Sequence, residues 1–114
     1  MRDTNERLRD IQEAIANIMK YTDQGRNRFD QDELVQTWVI RHLEIIGEAA
    51  RAIPMDFKDQ HPEIAWGQIN GMRNVIVHAY FGINRDRVWS TVEDDLPDLK
   101  TSVDTILNTG ETTE

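Results

Sequence analysis

The sequence predicts an all-α protein, an up-and-down bundle of four main helices, and three observations predict it. Apolar residues recur at three- and four-residue spacing through most of the 114 residues. No stretch alternates with a period of two. Proline, and glycine with short polar clusters, punctuate the chain where one helical pattern gives way to the next. The length suits a single domain, 1–114, and neither a repeat nor a low-complexity linker divides it.

The first helix is expected over about 4–23, where Leu8, Ile11, Ile15, Ile18 and Met19 form one apolar face between charges. Gln24-Gly25-Arg26-Asn27 breaks it. Asp30 followed by Glu33 resembles a capping box opening a long second helix. Its stripe runs through Leu34, Val35, Trp38, Val39, His42, Ile45, Ile46, Ala49 and Ile53, wide enough for more than one neighbour, and Pro54 stops it. Residues 55–65 read as a connector with a short turn. The third helix covers about 64–80, through Ile64, Trp66, Ile69 and Met72, with Gly82 suited to the position past its end. Asn84 caps the fourth, which carries Val88, Trp89, Val92 and Leu96. Pro97 kinks or restarts it before Leu99, Val103, Ile106 and Leu107. Residues 109–114 are expected to fray.

Composition narrows the functional classes. The chain has no cysteine, which removes disulfides, thiol nucleophiles and thiolate metal sites. Its first twenty residues are too charged for a signal peptide and no apolar run approaches a membrane span, so a cytoplasmic location away from membranes is expected. The net charge of -8 argues against a broad nucleic-acid footprint. It is unevenly spread, however: residues 66–92 carry Arg73, Arg85 and Arg87 against Asp86, while 93–114 carry Lys100 against seven acids. The only positive stretch is therefore 66–92. The acidic C-terminal segment is a solvated face and suits a basic partner.

Candidate chemistry is sparse. His42, His61 and His78 form no His-x-x-x-His or Glu-x-x-His pair, so no metal site and no cofactor are expected. Glu44 and Glu48 read as a solvated pair, His42 as a hydrogen-bonded core or interface residue, and His61 as a turn or cap residue before Pro62. Gly47, Gly67 and Gly71 lie inside helical patterns, where glycine commonly marks close packing. What remains is the octad Arg73-Asn74-Val75-Ile76-Val77-His78-Ala79-Tyr80. It sets a permanent cation, an imidazole and a phenol among β-branched residues, where unpaired polar groups are costly. At roughly 100° per residue, Arg73 and Tyr80 share a face while His78 lies roughly 140° away. One straight helix cannot aim all three at one atom, and a two-fold dimer supplying residues from both chains would. Two readings stay open from the residues alone. In one, Arg73 pairs with Asp94 or Asp95 and His78 is a satisfied core residue. In the other, Arg and His share a phosphate-sized cleft for metal-free RNA hydrolysis.

The octad with its flanks is similar to a known signature. Arg73-x4-His78-x-Tyr80 with Phe81-Gly82-Ile83 resembles the motif of HepT-type toxins of the HEPN superfamily. So do Ile45-Ile46-Gly47-Glu48-Ala49, Ile64-Ala65-Trp66-Gly67-Gln68-Ile69, Gly71-Met72-Arg73-Asn74, Val88-Trp89 and Asp95-Leu96-Pro97-Asp98-Leu99. The resemblance implies a HEPN-like all-α homodimer whose motifs meet in an RNA-binding cleft, and a metal-independent endoribonuclease toxin of a type VII toxin–antitoxin system. It implies Arg73 and His78 as catalytic, Asn74 as site-orienting, and Tyr80 as the residue AMPylated by a partner nucleotidyltransferase of the MntA type. The alternative it leaves is a non-catalytic accessory subunit of such a nucleotidyltransferase.

Overall fold

The computed structural model describes residues 3–69 and 84–113, and among these all regular structure is helical. Helix α1 spans Thr4–Thr22, α2 Arg26–Gln31, α3 Glu33–Ala52, α4 Met55–Gln60 and α5 Arg85–Ser90. A π-helical turn at Thr91–Asp95 joins α5 to α6, Leu96–Thr113. Helix α1 opens on Asp3, whose carboxylate accepts the Glu6 amide at 2.8 Å. It ends at Thr22 with Asp23 as its cap, and Gly25, which opens α2, takes a φ of 98°, a backbone conformation that glycine adopts without a Cβ penalty.

The second long helix departs from expectation at its start. Its cap is Asp32, extended at φ -121°, with Oδ1 accepting the Leu34 and Val35 amides at 3.0 and 3.4 Å. Asp30 instead lies within α2 and pairs with Arg26 one turn back, Nε to Oδ2 3.2 Å. The capping pattern was two residues early because two aspartates compete, and Asp32 has the extended backbone a cap requires. Pro54 does end α3, and Ile53 caps it. The connector then forms the six-residue α4 rather than a mere turn, with His61 closing it. Residues 66–69 are helical, and the rest of the third expected helix lies outside the described residues. Asn84 caps α5 by accepting the Arg87 amide at 3.1 Å.

Helix α1 packs on α3 and on α6. The two long neighbours α1 and α3 run antiparallel: Tyr21 meets Trp38 near the top, and Ala14, Asn17 and His42 share one pocket lower down. The core is one cluster of Leu8, Ile11, Ile15 and Ile18 from α1, Val39, Leu43 and Ile46 from α3, and Val88, Leu96 and Val103 from the last run. All of these are essentially inaccessible. Phe29 of α2 is fully buried beside them and is the apolar anchor of a six-residue helix too short to hold itself. Helical backbone reaches Thr113, past the position where fraying is expected to begin.

Pro97 explains the π turn. Proline lacks an amide hydrogen and its ring crowds the carbonyl four residues back, here that of Glu93. The chain widens by one residue just before it, and the Leu96 amide reaches the Thr91 carbonyl five residues back. The restart expected at Pro97 therefore takes the form of a wide turn within a continuous helical run.

Candidate functional site

The four residues singled out by the octad, Arg73, Asn74, His78 and Tyr80, lie outside the described residues. What the structure describes is the frame on which that segment hangs. At its entry the chain is locked by a tight corner. The Ile64 amide donates to the His61 carbonyl at 3.2 Å, and the Trp66 indole Nε1 donates to the same carbonyl at 3.1 Å. Lys58 Nζ stands 5.5 Å from the Trp66 ring centre, and Phe57 lies 4.4 Å from the His61 ring. Ile64 and Ile69 are buried and anchor both ends of this corner in the core.

At its exit the frame is α5 against α2. Arg85 Nη1 donates to the Asp30 carbonyl at 3.0 Å, and Asp86 pairs with Arg26, which holds the Asp86 carboxyl below the usual range. The Trp89 ring rests on Phe29 at 5.4 Å, and its Nε1 donates to Glu93 at 2.8 Å. Buried Gln36 satisfies the end of α2 by donating to the Phe29 and Asp30 carbonyls at 2.9 and 3.2 Å. Entry and exit are thus fixed by different elements.

Beside the entry lies a pocket of about 200 Å³ with Ile64, Ile69 and Leu99 as its floor and Glu63, Asp95 and Asp98 at its rim. Burial raises the Asp95 carboxyl above the usual range, and the neighbouring Asp94 and Asp98 charges raise it further. Asp94 accepts the Ser90 hydroxyl at 3.1 Å. The sequence reading named Asp94 and Asp95 only as alternative partners for Arg73. The pocket itself went unnoticed, although Asp95, Asp98 and Leu99 fall at three- and four-residue spacing. At the same rim, His61 Nδ1 and Glu63 Oε2 are 3.0 Å apart, and this hydrogen bond lowers the Glu63 carboxyl.

The other singled-out residues are placed as follows. His42 is buried, 8% exposed, and its Nδ1 donates to the Trp38 carbonyl at 2.7 Å, as a satisfied core or interface histidine should. Glu48 is exposed, and Glu44 faces Arg41 at 3.5 Å. Gly67 does not mark a close approach: among the described residues no atom lies within 4 Å of a Cβ placed there. Among the described residues no group of three or more His, Asp or Glu is arranged to hold a metal ion, and no helix is long and apolar enough to cross a membrane.

Comparison with known proteins agrees with the motif. A protein of Thermococcus cleftensis named "Probable ribonuclease HepT" is 48% identical over 94 residues, covering 82% of this chain and 86% of that one. The Methanocaldococcus jannaschii protein named "Putative RNase MJ1380" is 38% identical over 106 residues, 92% of this chain and 97% of that one. No solved structure matches. The family profile described as "Ribonuclease HepT-like" matches residues 11–106, a span that takes in both framing corners and the octad between them, and the chain belongs to that HEPN-type family.

Proposed function

We propose that the chain is an endoribonuclease, the toxin of a type VII toxin–antitoxin pair, acting as a homodimer without metal. The observation that carries this is the family match across residues 11–106, which contains Arg73, Asn74, His78 and Tyr80 in the motif's own spacing. In this reading the His78 imidazole takes the proton of an RNA 2′-hydroxyl or protonates the leaving 5′-oxygen. Arg73 stabilises the charge that builds on the phosphoryl oxygens, and Asn74 orients the pair. The 2′-oxygen forms its bond to phosphorus as the bond to the 5′-oxygen breaks, so the chemistry needs no metal. Two copies together bring the motifs into one cleft, since one straight helix separates His78 from Arg73 by roughly 140°. A partner nucleotidyltransferase of the MntA type switches the enzyme off by transferring AMP to the Tyr80 hydroxyl with release of pyrophosphate. The added phosphate repels an RNA backbone.

The purified chain is expected to cut RNA in EDTA. His78→Ala should lower cleavage by about 100-fold or more, the usual scale for a general acid–base group, with an unchanged circular dichroism spectrum. Cleavage by His78→Ala at the wild-type rate would overturn the mechanism. Uncut RNA together with retained binding of the nucleotidyltransferase would favour the accessory-subunit alternative. For the switch, intact mass after incubation with the partner and ATP should rise by AMP-sized steps in the wild type and not in Tyr80→Phe.

A further inference from the structure

Cleavage through the 2′-hydroxyl moves two protons, one off the attacking oxygen and one onto the departing 5′-oxygen. The octad holds one imidazole per chain. The described residues hold two more, and their surroundings differ sharply. His42 is 8% exposed and packed against Trp38. His61 keeps 28% of its side chain open to solvent, at the corner where the chain enters the motif segment.

His61 is held at every point but one. Its amide donates to the Lys58 carbonyl at 3.2 Å, and its carbonyl accepts both the Ile64 amide and the Trp66 indole. The Phe57 ring lies against the imidazole at 4.4 Å, tilted by 34°. Glu63 Oε2 meets Nδ1 at 3.0 Å. An ionised carboxylate only accepts, so Nδ1 carries the hydrogen and the ring is fixed in one tautomer. Nε2 is then the open nitrogen, and among the described residues nothing pairs with it. Closing α4 takes only the main-chain amide and does not call for an oriented ring. An imidazole steadied by a carboxylate, with its far nitrogen open, is what proton transfer to a substrate calls for.

The pair also lies within reach of the motif. Glu63 and Ile69 line the same pocket of about 200 Å³. Ile69 precedes Arg73 by four residues, and four residues of chain span at most about 14 Å. The other charged groups around the pair are Lys58 of α4, its Nζ over the Trp66 ring, and Asp95 and Asp98 at the pocket rim.

We infer that His61, oriented by Glu63, is a second proton-transfer residue of the RNA-cleaving site and protonates the departing 5′-oxygen. The inference rests on the roles of Arg73 and His78 proposed above. His78 takes the 2′-hydroxyl proton, the 2′-oxygen bonds to phosphorus, and the bond from phosphorus to the 5′-oxygen breaks. The 5′-oxygen leaves with that electron pair and takes the proton of His61 Nε2. The products are a 2′,3′-cyclic phosphate and a 5′-hydroxyl, and His61 is left neutral with its Nδ1 hydrogen still on Glu63.

A change of leaving atom tests it. The substrates are an RNA oligonucleotide that the full chain cuts, and the same oligonucleotide with sulfur replacing the bridging 5′-oxygen at that bond. A thiolate is a far weaker base than an alkoxide and departs without a proton. His61→Gln should cut the ordinary RNA about 100-fold more slowly than wild type. It should cut the sulfur substrate as fast as wild type, which also shows that the variant is folded, while His78→Ala stays slow on both. The wild-type rate on ordinary RNA should fall at alkaline pH as the acid loses its proton, and His61→Gln should lack that fall. Glu63→Ala, which frees the ring, should lose about 10-fold on ordinary RNA and recover on the sulfur substrate. If the second copy's octad supplies the proton instead, His61→Gln cuts ordinary RNA at the wild-type rate while His78→Ala does not, and this inference alone is overturned. Equal losses of His61→Gln on both substrates overturn it too, since a displaced motif slows both. A wild type that cuts no RNA, or a fully active His78→Ala, overturns the mechanism beneath it and this inference together.

Discussion

Asp95 is a carboxylate in the wrong company. Partial burial and the charges of Asp94 and Asp98 raise its proton affinity above that of the same group in the unfolded chain. The folded state therefore holds the proton more tightly, and stability falls as pH rises through the folded-state value. The penalty is complete above that value and absent below the ordinary carboxylate value. Asp95→Asn should stabilise the fold at neutral pH by up to about 0.5 kcal/mol, the usual bound for a surface-side substitution. The gain should vanish in thermal melts taken below the ordinary carboxylate value; a gain that persists there would mean a packing effect rather than charge. Phe29 shows the opposite dependence on a single side chain. It is fully buried, stacks on Trp89 and tethers a helix of six residues. Phe29→Ala should cost about 3–5 kcal/mol in denaturant unfolding.

At the scale of elements, α6 is tied to α1 by one shared carboxylate. Asp104 accepts from Gln12 Nε2 at 2.7 Å across the helix pair and from Lys100 Nζ at 2.7 Å along its own helix. The Gln12 hydrogen bond, then that of Lys100, lowers its carboxyl below the usual range. The sign is the reverse of Asp95. The contribution is full above the ordinary carboxylate value and is lost as pH falls through the lowered one. Asp104→Ala should cost about 1 kcal/mol at neutral pH, the net worth of one hydrogen bond, and progressively less in acid. Chemical denaturation across the acid range checks both statements. Asn84 caps the element that follows the motif segment, and Asn84→Ala should cost about 1 kcal/mol by the same measurement. The π turn escaped sequence reading for a definite reason. Helical periodicity reports which face a residue takes, and one extra residue in a turn shifts that face by less than the apolar stripe is wide.

For the whole molecule, charge sets the terms on which RNA is met. The chain is -8, and only residues 66–92 are positive, through three arginines. Single-stranded binding loses about 0.7 in logarithmic slope per phosphate neutralised, so with three arginines from each copy of the proposed dimer the salt dependence of RNA affinity should be no steeper than about -4. Fluorescence titration at several salt concentrations measures it, and a much steeper slope would place cations from outside that segment on the RNA. This scale also shows what sequence could and could not reveal. The long helices were legible because Leu8 to Ile18 and Val35 to Ile46 repeat their spacing over several turns. The stop at Pro54 and the cap at Asn84 were legible because each is a local chemical signal. Helix α2 was not, since Phe29 is its lone buried residue and one residue has no period. The outward face of the α1–α3 pair was hidden for another reason: Trp38, His42 and Ile45 carry the same apolar signature whether they meet the core or the outside. The octad was conspicuous as chemistry, and its residues lie outside those the structure describes.

The chain contains three tryptophans, and each indole nitrogen is committed to a different neighbourhood: Trp38 to the Asn17 carbonyl, Trp66 to the His61 carbonyl, Trp89 to Glu93. Optically, this is a protein with its own dyes already in place. Two flank the segment proposed to cut RNA, and the third stands on the outward face of the α1–α3 pair. Variants retaining one tryptophan, the others replaced by phenylalanine, would give three emission signals from one fold. RNA should move the spectra of Trp66 and Trp89 and leave that of Trp38 as an internal reference, so the ligand could be followed in one cuvette without a label.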